Sequence, residues 1–237
     1  MFSFKGVNFR DMHLRVVGEV EYNSTVRDKS AVKIPGRHGK IYMDNGRYES
    51  VDRGLKTVID LPRNVNIEDV VTKIHNWLVS EPGEHELTFG EDRNFVYRAS
   101  VVERQRITRL LRNYGRALIR FRLHPIKYLK TGLEEIPVAN GAIINNPYDI
   151  DAEPRIIIRG RGSVVITIGD QEIVLKNLDD GLIVDSELET PFSLDGERTH
   201  FDKMFSYPFP ALRPGDNVFT IPQHVSVSII TRLGALV

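Results

Sequence analysis

The stretch NIEDVVTKIHNWLVSE, residues 66–81, decides the fold class because it is the one convincing helix in the sequence. Its apolar residues recur every three or four positions, which gives a helix one apolar face: Ile67, Val70, Val71, Ile74, Trp77 and Leu78. Asn66 is suited to cap the N-terminus, Asp69 occupies the capping-box position, and Glu81-Pro82-Gly83 ends the pattern. We therefore predict a single amphipathic helix, about residues 66–80, covering one face of a β-sheet.

Short apolar runs separated by Gly, Asn and Asp lie on both sides of the helix and predict strands. In the first half they are Leu14–Val17, Lys33-Ile34, Leu55–Ile59, Glu86–Phe89, Asn94–Val102 and Ala117–Leu123, the last ended by His124-Pro125. From Leu133, Gly or Asp-Gly punctuates apolar runs about every eight to twelve residues, as in an antiparallel sandwich, and Asp179-Asp180-Gly181 is predicted to be a hairpin turn. The chain is predicted to be mainly β, with domains at 1–131 and 132–237 and a linker within Gly132–Asn140.

The segment VKIPGRHGKIYMDNGRY, residues 32–48, places two glycines around a basic pair. A phosphate-binding loop requires a helix directly after its glycines, whereas a strand pattern follows here. We therefore predict that Pro35–Gly39 is a turn, with Gly36 and Gly39 at positive φ and with Arg37 and His38 exposed at its tip. Asp44-Asn45-Gly46 is predicted to form a second tight turn.

Composition excludes several functional classes. The chain has 237 residues, of which 41% are apolar and 27% charged, so it can bury a core. It has no cysteine, which excludes cysteine hydrolases, zinc ribbons and iron–sulfur clusters. No apolar run approaches the roughly 18 residues of a membrane helix, and no secretory signal is expected. The seven histidines form no H-x-x-x-H or H-x-H pair, so no metal or other cofactor is expected.

Candidate catalytic residues are few. Ser186, Asp185 and His200 have the residue types of a hydrolase triad, yet no G-x-S-x-G elbow surrounds the serine. Acidic residues between Asp179 and Glu189 have the chemistry of glycosidase carboxylates or calcium ligands, but they lack EF-hand spacing. A protein without catalytic activity is expected, and mutation of Asp185 would test an enzymatic alternative.

The neutral net charge conceals a division between the two halves. Residues 1–130 hold 24 Lys/Arg and 16 Asp/Glu, a net +8, and the remainder holds 8 and 16, a net −8. Two explanations stay open: unrelated surfaces that differ in charge, or complementary faces that meet within the chain or between copies.

Arginine is concentrated between positions 104 and 122, without an acidic residue: Arg104, Arg106, Arg109, Arg112, Arg116, Arg120 and Arg122. Such density indicates contact with phosphates, carboxylates or an acidic partner surface. Only Tyr114 and Phe121 are aromatic, so sequence-specific nucleic-acid binding is not expected. In a strand, Arg116, Arg120 and Arg122 share one side, together with Leu118. We predict a basic strand at a subunit interface or lining a pore.

Aromatic residues crowd a proline-rich stretch near the C-terminus, in particular Phe205, Tyr207 and Phe209. Exposed aromatic rings can stack on a sugar, and buried ones can close the end of a sandwich. The sequence leaves both interpretations open.

The order of several short motifs resembles that of siphophage distal tail proteins across almost the whole chain. The motifs are Asn8–Met12 (NFRDM), Pro35–Gly39 (PGRHG), Ile74–Leu78 (IHNWL), Phe121–Pro125 (FRLHP), Asn140-Gly141, Pro154–Gly160 (PRIIIRG), Ile183–Glu187 (IVDSE) and Phe209–Asn217 (FPALRPGDN). Each motif alone is weak, and their order and spacing carry the resemblance. The chain resembles the short form of the family, without a carbohydrate-binding insertion.

The resemblance implies a fold and a structural role. The fold is a β-sandwich with one helix and a protruding hairpin, followed by a galectin-like antiparallel β-sandwich. The role is that of a hexameric ring in the virion tail tip, synthesised in the bacterial host cytoplasm. Its implied partners are the tail tube protein, the tape measure protein, the tail-associated lysin or fibre and the receptor-binding protein. No membrane insertion is implied. The alternative is a module that binds host cell-wall saccharide.

Overall fold

The computed structural model describes residues 2–102 and 106–237. The chain divides into two compact units, unit 1 (Met1–Lys127 with Leu236–Val237) and unit 2 (Tyr128–Ala235). Strands make up 51% of the chain, so the predicted mainly β class is confirmed. The domain limits at 131 and 132 stay a prediction about which segments fold independently.

The described residues form twenty strands, one α-helix and two short 3-10 helices. The strands are β1 Ser3–Phe4, β2 Val7–Asn8, β3 Leu14–Val16, β4 Arg27–Val32, β5 Ile41–Tyr48, β6 Val51–Asp60, β7 His85–Thr88, β8 Phe95–Val101, β9 Arg106–Leu111, β10 Tyr114–Leu129, β11 Glu135–Val138, β12 Ile143–Asn146, β13 Arg155–Arg159, β14 Gly162–Ile168, β15 Gln171–Leu178, β16 Gly181–Asp185, β17 Thr190–Phe192, β18 Gly215–Thr220, β19 Ser226–Ile230 and β20 Gly234–Leu236. The helices are α1 Ile67–Val79 and the 3-10 turns Phe9–Met12 and Thr131–Leu133. No helix in this described part of the chain is long and apolar enough to cross a membrane.

Unit 1 is built on a curled antiparallel sheet. Its strands run in the order β2-β1-β7-β8-β10-β6-β3, and β9 pairs with β10. The apolar face of α1 packs into the same core as Phe4, Phe9 and Phe121 of the sheet side. Trp77 is the centre of this contact, because its indole Nε1 donates to the carbonyl oxygen of Phe4 at 3.2 Å and its ring meets Phe9 edge-on. The predicted helix is confirmed, and the Asn66 side chain accepts from the backbone N–H of Glu68.

The longest strand, β10, runs beyond its predicted end. His124-Pro125 was expected to terminate it, but the strand continues to Leu129. The Ile126 N–H donates to His124 Nδ1 at 3.3 Å, and the Pro125 carbonyl accepts from the N–H of Val237 at 2.9 Å. Proline is tolerated where its missing N–H is not needed by the sheet. The prediction was therefore wrong about the strand end.

Strands β4 and β5 form a two-stranded hairpin that is separate from the curled sheet of unit 1. As predicted, Pro35–Gly39 lies in its connection, Gly36 and Gly39 have φ of 78° and 81°, and Arg37 and His38 are exposed. The predicted turn at Asp44-Asn45-Gly46 was wrong, because these residues lie inside β5. There the pairing register shifts, and the N–H of Gly46 donates to Asp44 Oδ1 at 2.9 Å.

Unit 2 contains two antiparallel sheets, ordered β11-β19-β13-β16-β17 and β12-β18-β14-β15. Their inward-facing residues form one apolar core, which includes Ile156, Ile158, Ile166, Leu175 and Phe219. The expected antiparallel sandwich is confirmed, because the two sheets pack their apolar side chains into this single core.

Two local predictions in unit 2 were wrong. The expected linker Gly132–Asn140 contains β11, which pairs along Glu135–Val138 with β19 and extends the five-stranded sheet. The expected hairpin turn at Asp179-Asp180-Gly181 instead connects β15 of one sheet to β16 of the other. Both errors concern long-range strand pairing, which turn residues alone do not report.

Candidate functional site: a basic groove on the sheet of unit 1

Strand β10 presents two chemically different faces. Ala117, Ile119 and Phe121 are buried in the core, and Arg116, Arg120 and Arg122 are exposed on the opposite face. Leu118 lies half-buried on the arginine face. The alternation that the sequence predicted is present because successive side chains of a strand point to opposite sides.

Neighbouring strands add two more cations around Leu118. In the antiparallel register, Leu118 lies opposite Arg106 of β9 and opposite Lys56 of β6. Arg116 and Arg120 lie two residues before and after Leu118 on the same face. Directly opposed residues are about 5 Å apart, and residues i and i+2 of a strand about 7 Å apart. Four cationic side chains therefore surround a single apolar one.

These residues line a groove of about 670 Å³, here named the basic groove. Its lining consists of Val17, Lys56, Thr57, Val102, Arg106, Thr108, Arg116, Ala117, Leu118 and Arg120. None of the described residues that line it is acidic. Its floor is apolar and its rim is positively charged.

The basic groove concentrates cationic side chains. Arg106, Arg116 and Lys56 form no ion pair with any side chain in residues 2–102 and 106–237. Like charges that neighbour one another across strands destabilise a sheet. An anion seated in the groove would relieve this repulsion, so the arrangement is suited to bind negative charge.

The other predicted arginines separate from this cluster. Arg109 pairs with Glu68 of α1 at 3.3 Å, and Arg122 Nε pairs with Asp52 Oδ1 at 2.9 Å. Arg112 lies exposed in the β9–β10 turn. Arg104 lies outside the described residues. The structure thus brings together three of the seven arginines, Arg106, Arg116 and Arg120.

Sequence reasoning missed Lys56. The alternation of Asp52, Lys56 and Asp60 with Val51, Leu55 and Ile59 could have assigned its face. Its position opposite Leu118 depends on the pairing of β6 with β10, about sixty residues away along the chain. Only the register of that pairing places Lys56 in the basic groove.

Arg53 of β6 lies on the core side and is buried, with 3% exposure. Its guanidinium carbon is 4.8 Å from the ring centre of Tyr22, 5.1 Å from Phe89 and 5.6 Å from Tyr97. Among the described residues, Arg53 Nε and Nη1 have no hydrogen-bond partner. Cation–π contact with three rings therefore stabilises this buried charge. Arg53 takes no part in the basic groove.

The remaining predicted site residues lie elsewhere. Arg37 and His38 are at the hairpin tip, where β5 rather than a helix follows the glycines, so no helix N-terminus is present to hold an anion. Tyr207 is 80% exposed and Phe205 55% exposed, with Lys176 Nζ 4.5 Å from the Phe205 ring centre. Phe209 instead packs partly buried against the core of unit 2.

No protein-family model matches the chain, and no curated protein matches it in sequence. Among solved structures it is similar to the Dit protein of SPP1, described as a paradigm of the hub adsorption apparatus in phages that infect Gram-positive bacteria. The two share 15% sequence identity with a TM-score of 0.64, over 96% of each chain. The chain therefore has the fold of that Dit protein, and the mainly β fold implied by the sequence resemblance is confirmed.

Weaker likeness extends to the baseplate of phage P2 in its activated conformation. In the structure with Ca the identity is 11% and the TM-score 0.47, and in the structure with Sr they are 11% and 0.48. Both matches cover 92% of this chain and 90% of the other.

Proposed function

We propose that this chain is a distal tail protein, the structural hub of a siphophage tail tip. The observation that carries the proposal is the shared fold with SPP1 Dit over 96% of both chains. Because the match covers both units rather than one, it supports a common fold for the whole chain and SPP1 Dit. The order of the sequence motifs supports the same assignment independently of the fold.

In this role, copies of the chain form a hexameric ring. The ring joins the tail tube and tape measure protein on one side to the tail-associated lysin or fibre and the receptor-binding protein on the other. The protein is then a virion component of the tail tip, made in the bacterial host cytoplasm, and acts in host adsorption without catalysis. The galectin-like character of unit 2 belongs to the same proposal.

The β4–β5 hairpin supports assembly between copies. Two-stranded hairpins are marginally stable alone in water. This one exposes four large apolar side chains: Val32 at 42%, Ile34 at 44%, Tyr42 at 66% and Met43 at 58%. A ring requires a heterologous interface, in which one patch of each copy meets a different patch of the next. Burying the hairpin against the next copy would stabilise the hairpin and would supply such an interface.

Polar contacts hold the hairpin in shape before any such docking. Arg47 Nε donates to Asp28 Oδ2 at 2.6 Å, and Asn45 Nδ2 donates to Asp28 Oδ1 at 3.1 Å. These two hydrogen bonds, Arg47 first, lower the pKa of Asp28. The guanidinium carbon of Arg27 lies 4.4 Å from the ring centre of Tyr48, in a cation–π contact. A preformed hairpin loses less conformational entropy on association.

Light scattering behind a sizing column, across concentration and salt, tests the proposal. We expect a hexamer of 27.0 kDa chains, and negative-stain images of that peak should show rings. The measurement is repeated with purified tail tube protein. A strict monomer at every concentration, with and without tail tube protein, contradicts the hub function.

Replacing both Tyr42 and Met43 with serine is expected to weaken ring assembly by at least tenfold, because each loses apolar area buried at the interface, worth about 1.5 kcal/mol per side chain. The matched control replaces Val165 and Leu188 of unit 2, which are 47% and 60% exposed, with serine. Equal assembly of both variants, measured by light scattering, would remove the hairpin from the interface.

A second candidate function, saccharide binding by unit 2, is favoured by the exposure of Phe205 and Tyr207. Titration with cell-wall polysaccharide discriminates between the two. Saturable binding that is lost in Tyr207→Ala supports the saccharide module. The absence of saturable binding leaves the hub as the proposed function.

A further inference from the structure

We propose that the basic groove binds an extended protein segment in which acidic residues flank an apolar one. The inference rests on the proposed function, since it takes the partner to be another tail component. Its chemistry comes from the groove itself, where Arg116, Arg120, Arg106 and Lys56 surround Leu118.

The spacing along β10 defines the recognised pattern. Arg116, Leu118 and Arg120 lie on one face at successive intervals of about 7 Å, which is the i to i+2 repeat of any extended chain. A segment of the form acid-x-apolar-x-acid, lying along β10, places its acids at the two arginines and its apolar side chain at Leu118. Arginine suits carboxylates because its planar fork donates two parallel hydrogen bonds.

Lys56 and Arg106 lie at right angles to this line, one on each side of Leu118. Their positive charges attract acidic residues on both sides of the bound segment, including further acids beside the apolar position. A groove of about 670 Å³ is within the usual range for ligand sites and accommodates a few residues rather than a domain.

The apolar floor favours a peptide over nucleic acid. Val17, Val102 and Leu118 are only partly buried and offer apolar contact area. A phosphate backbone carries no side chain that would cover them. Non-specific binding of single strands typically uses aromatic rings as stacking platforms, and no described residue lining the groove is aromatic.

Other arginines of the same sheet form ion pairs with acidic side chains. Arg122, on the same strand, is neutralised by Asp52, and Arg109 by Glu68. Arg116 faces Val58 and Thr108 in its two neighbouring strands instead of an acid. Arg116, Arg106 and Lys56 of the basic groove thus have no acidic partner among the residues that the structure describes, as expected for a binding surface.

Fluorescence anisotropy tests the proposal with a labelled peptide of about ten residues that repeats glutamate, serine, leucine, serine and glutamate. Binding to the intact chain is expected, and it should weaken as salt rises from about 0.05 to 0.3 M. Arg116→Glu with Arg120→Glu should reduce affinity at least tenfold. The control, Arg63→Glu with Lys73→Glu, changes net charge equally at exposed positions near and on α1 and should bind like the unmodified protein.

Leu118 is tested by a double-mutant cycle. Replacing the peptide leucine by serine should weaken binding about fivefold to the unmodified protein, since apolar contact is lost, and hardly at all to Leu118→Ser. Equal losses for both proteins overturn the apolar contact. Single-stranded DNA of equal charge is the competing ligand. If it binds more tightly than the peptide through the same arginines, the groove is a nucleic-acid surface and the proposal is wrong.

The two proposals fail separately. Light scattering on the same samples reports whether the ring forms, whereas anisotropy reports whether the groove binds. Rings without peptide binding reject the groove inference and keep the hub. Peptide binding by a chain that never assembles keeps the groove and rejects the hub.

Discussion

Replacing Gly181 with alanine is expected to lower the free energy of unfolding of unit 2 by about 3 kcal/mol or more, or to prevent its folding. Gly181 has φ of 157° and begins β16 opposite Arg159 of β13. A Cβ atom there would lie 2.3 Å from the carbonyl oxygen of Ile158 and 3.1 Å from the Cα of Arg159. Both are backbone atoms of the neighbouring strand, so relief requires separating the two strands.

Urea unfolding followed by circular dichroism measures this effect. The matched control is Gly169→Ala, since Gly169 has φ of 60° but no neighbouring heavy atom within 4 Å of the added Cβ. The stability lost by this control measures only the cost of placing a Cβ atom at positive φ, about 1–2 kcal/mol. If both variants lose the same stability, the close approach at Gly181 is not what constrains that position.

Replacing Asp185 with asparagine is expected to lower the free energy of unfolding by about 3 kcal/mol, because a buried ion pair loses one partner. Asp185 is 1% exposed, and Arg232 donates to its two carboxylate oxygens at 2.6 and 2.9 Å. The N–H of Leu188 donates to the same carboxylate at 3.3 Å. Asparagine keeps the shape of the side chain but removes its charge, while Arg232 Nε keeps its ion pair with Glu187 Oε2 at 3.2 Å.

The same pair makes stability depend on pH. Burial by itself raises the pKa of Asp185, but the hydrogen bonds and charge of Arg232 outweigh it and hold the pKa below its ordinary value. A carboxyl group whose pKa is lower in the folded state stabilises the protein above its unfolded pKa of about 3.9. This contribution is lost as pH falls through the folded pKa. The pKa of Glu153 changes in the opposite direction. Burial, and then the charge of Glu187, raise it, so ionisation of Glu153 destabilises the folded state.

Urea titrations at pH 7 and about pH 3 check the prediction, with Asp170→Asn as control. Asp170 pairs with Arg213 at 2.8 Å on the surface, where 73% of its side chain is exposed, so its loss should cost much less stability than the loss of Asp185. We expect the difference between Asp185→Asn and the unmodified chain to shrink at acid pH. A cost at pH 7 no larger than that of the control would contradict a structural role for the pair.

The sequence by itself determined the features that depend on local periodicity. The 3.6-residue spacing from Ile67 to Leu78 predicted α1, and the alternation through Arg116 and Arg120 predicted the two faces of β10. Gly36 and Gly39 predicted the hairpin connection, because positive φ is inexpensive only for glycine. Each signal lies within one turn or one strand, so neighbouring residues are enough to reveal it.

Tertiary structure alone decided which strands are neighbours. It placed Lys56 opposite Leu118 and so completed the basic groove, and it made Glu135–Val138 an edge strand rather than a linker. It also turned Gly181 from an expected hairpin residue into a point of close strand approach. Strand pairing joins residues that are far apart along the chain, and its register is selected by packing of the whole sheet. The periodicity of a single segment does not show which strand pairs with it, which is why Lys56 joined the candidate site only in the folded chain.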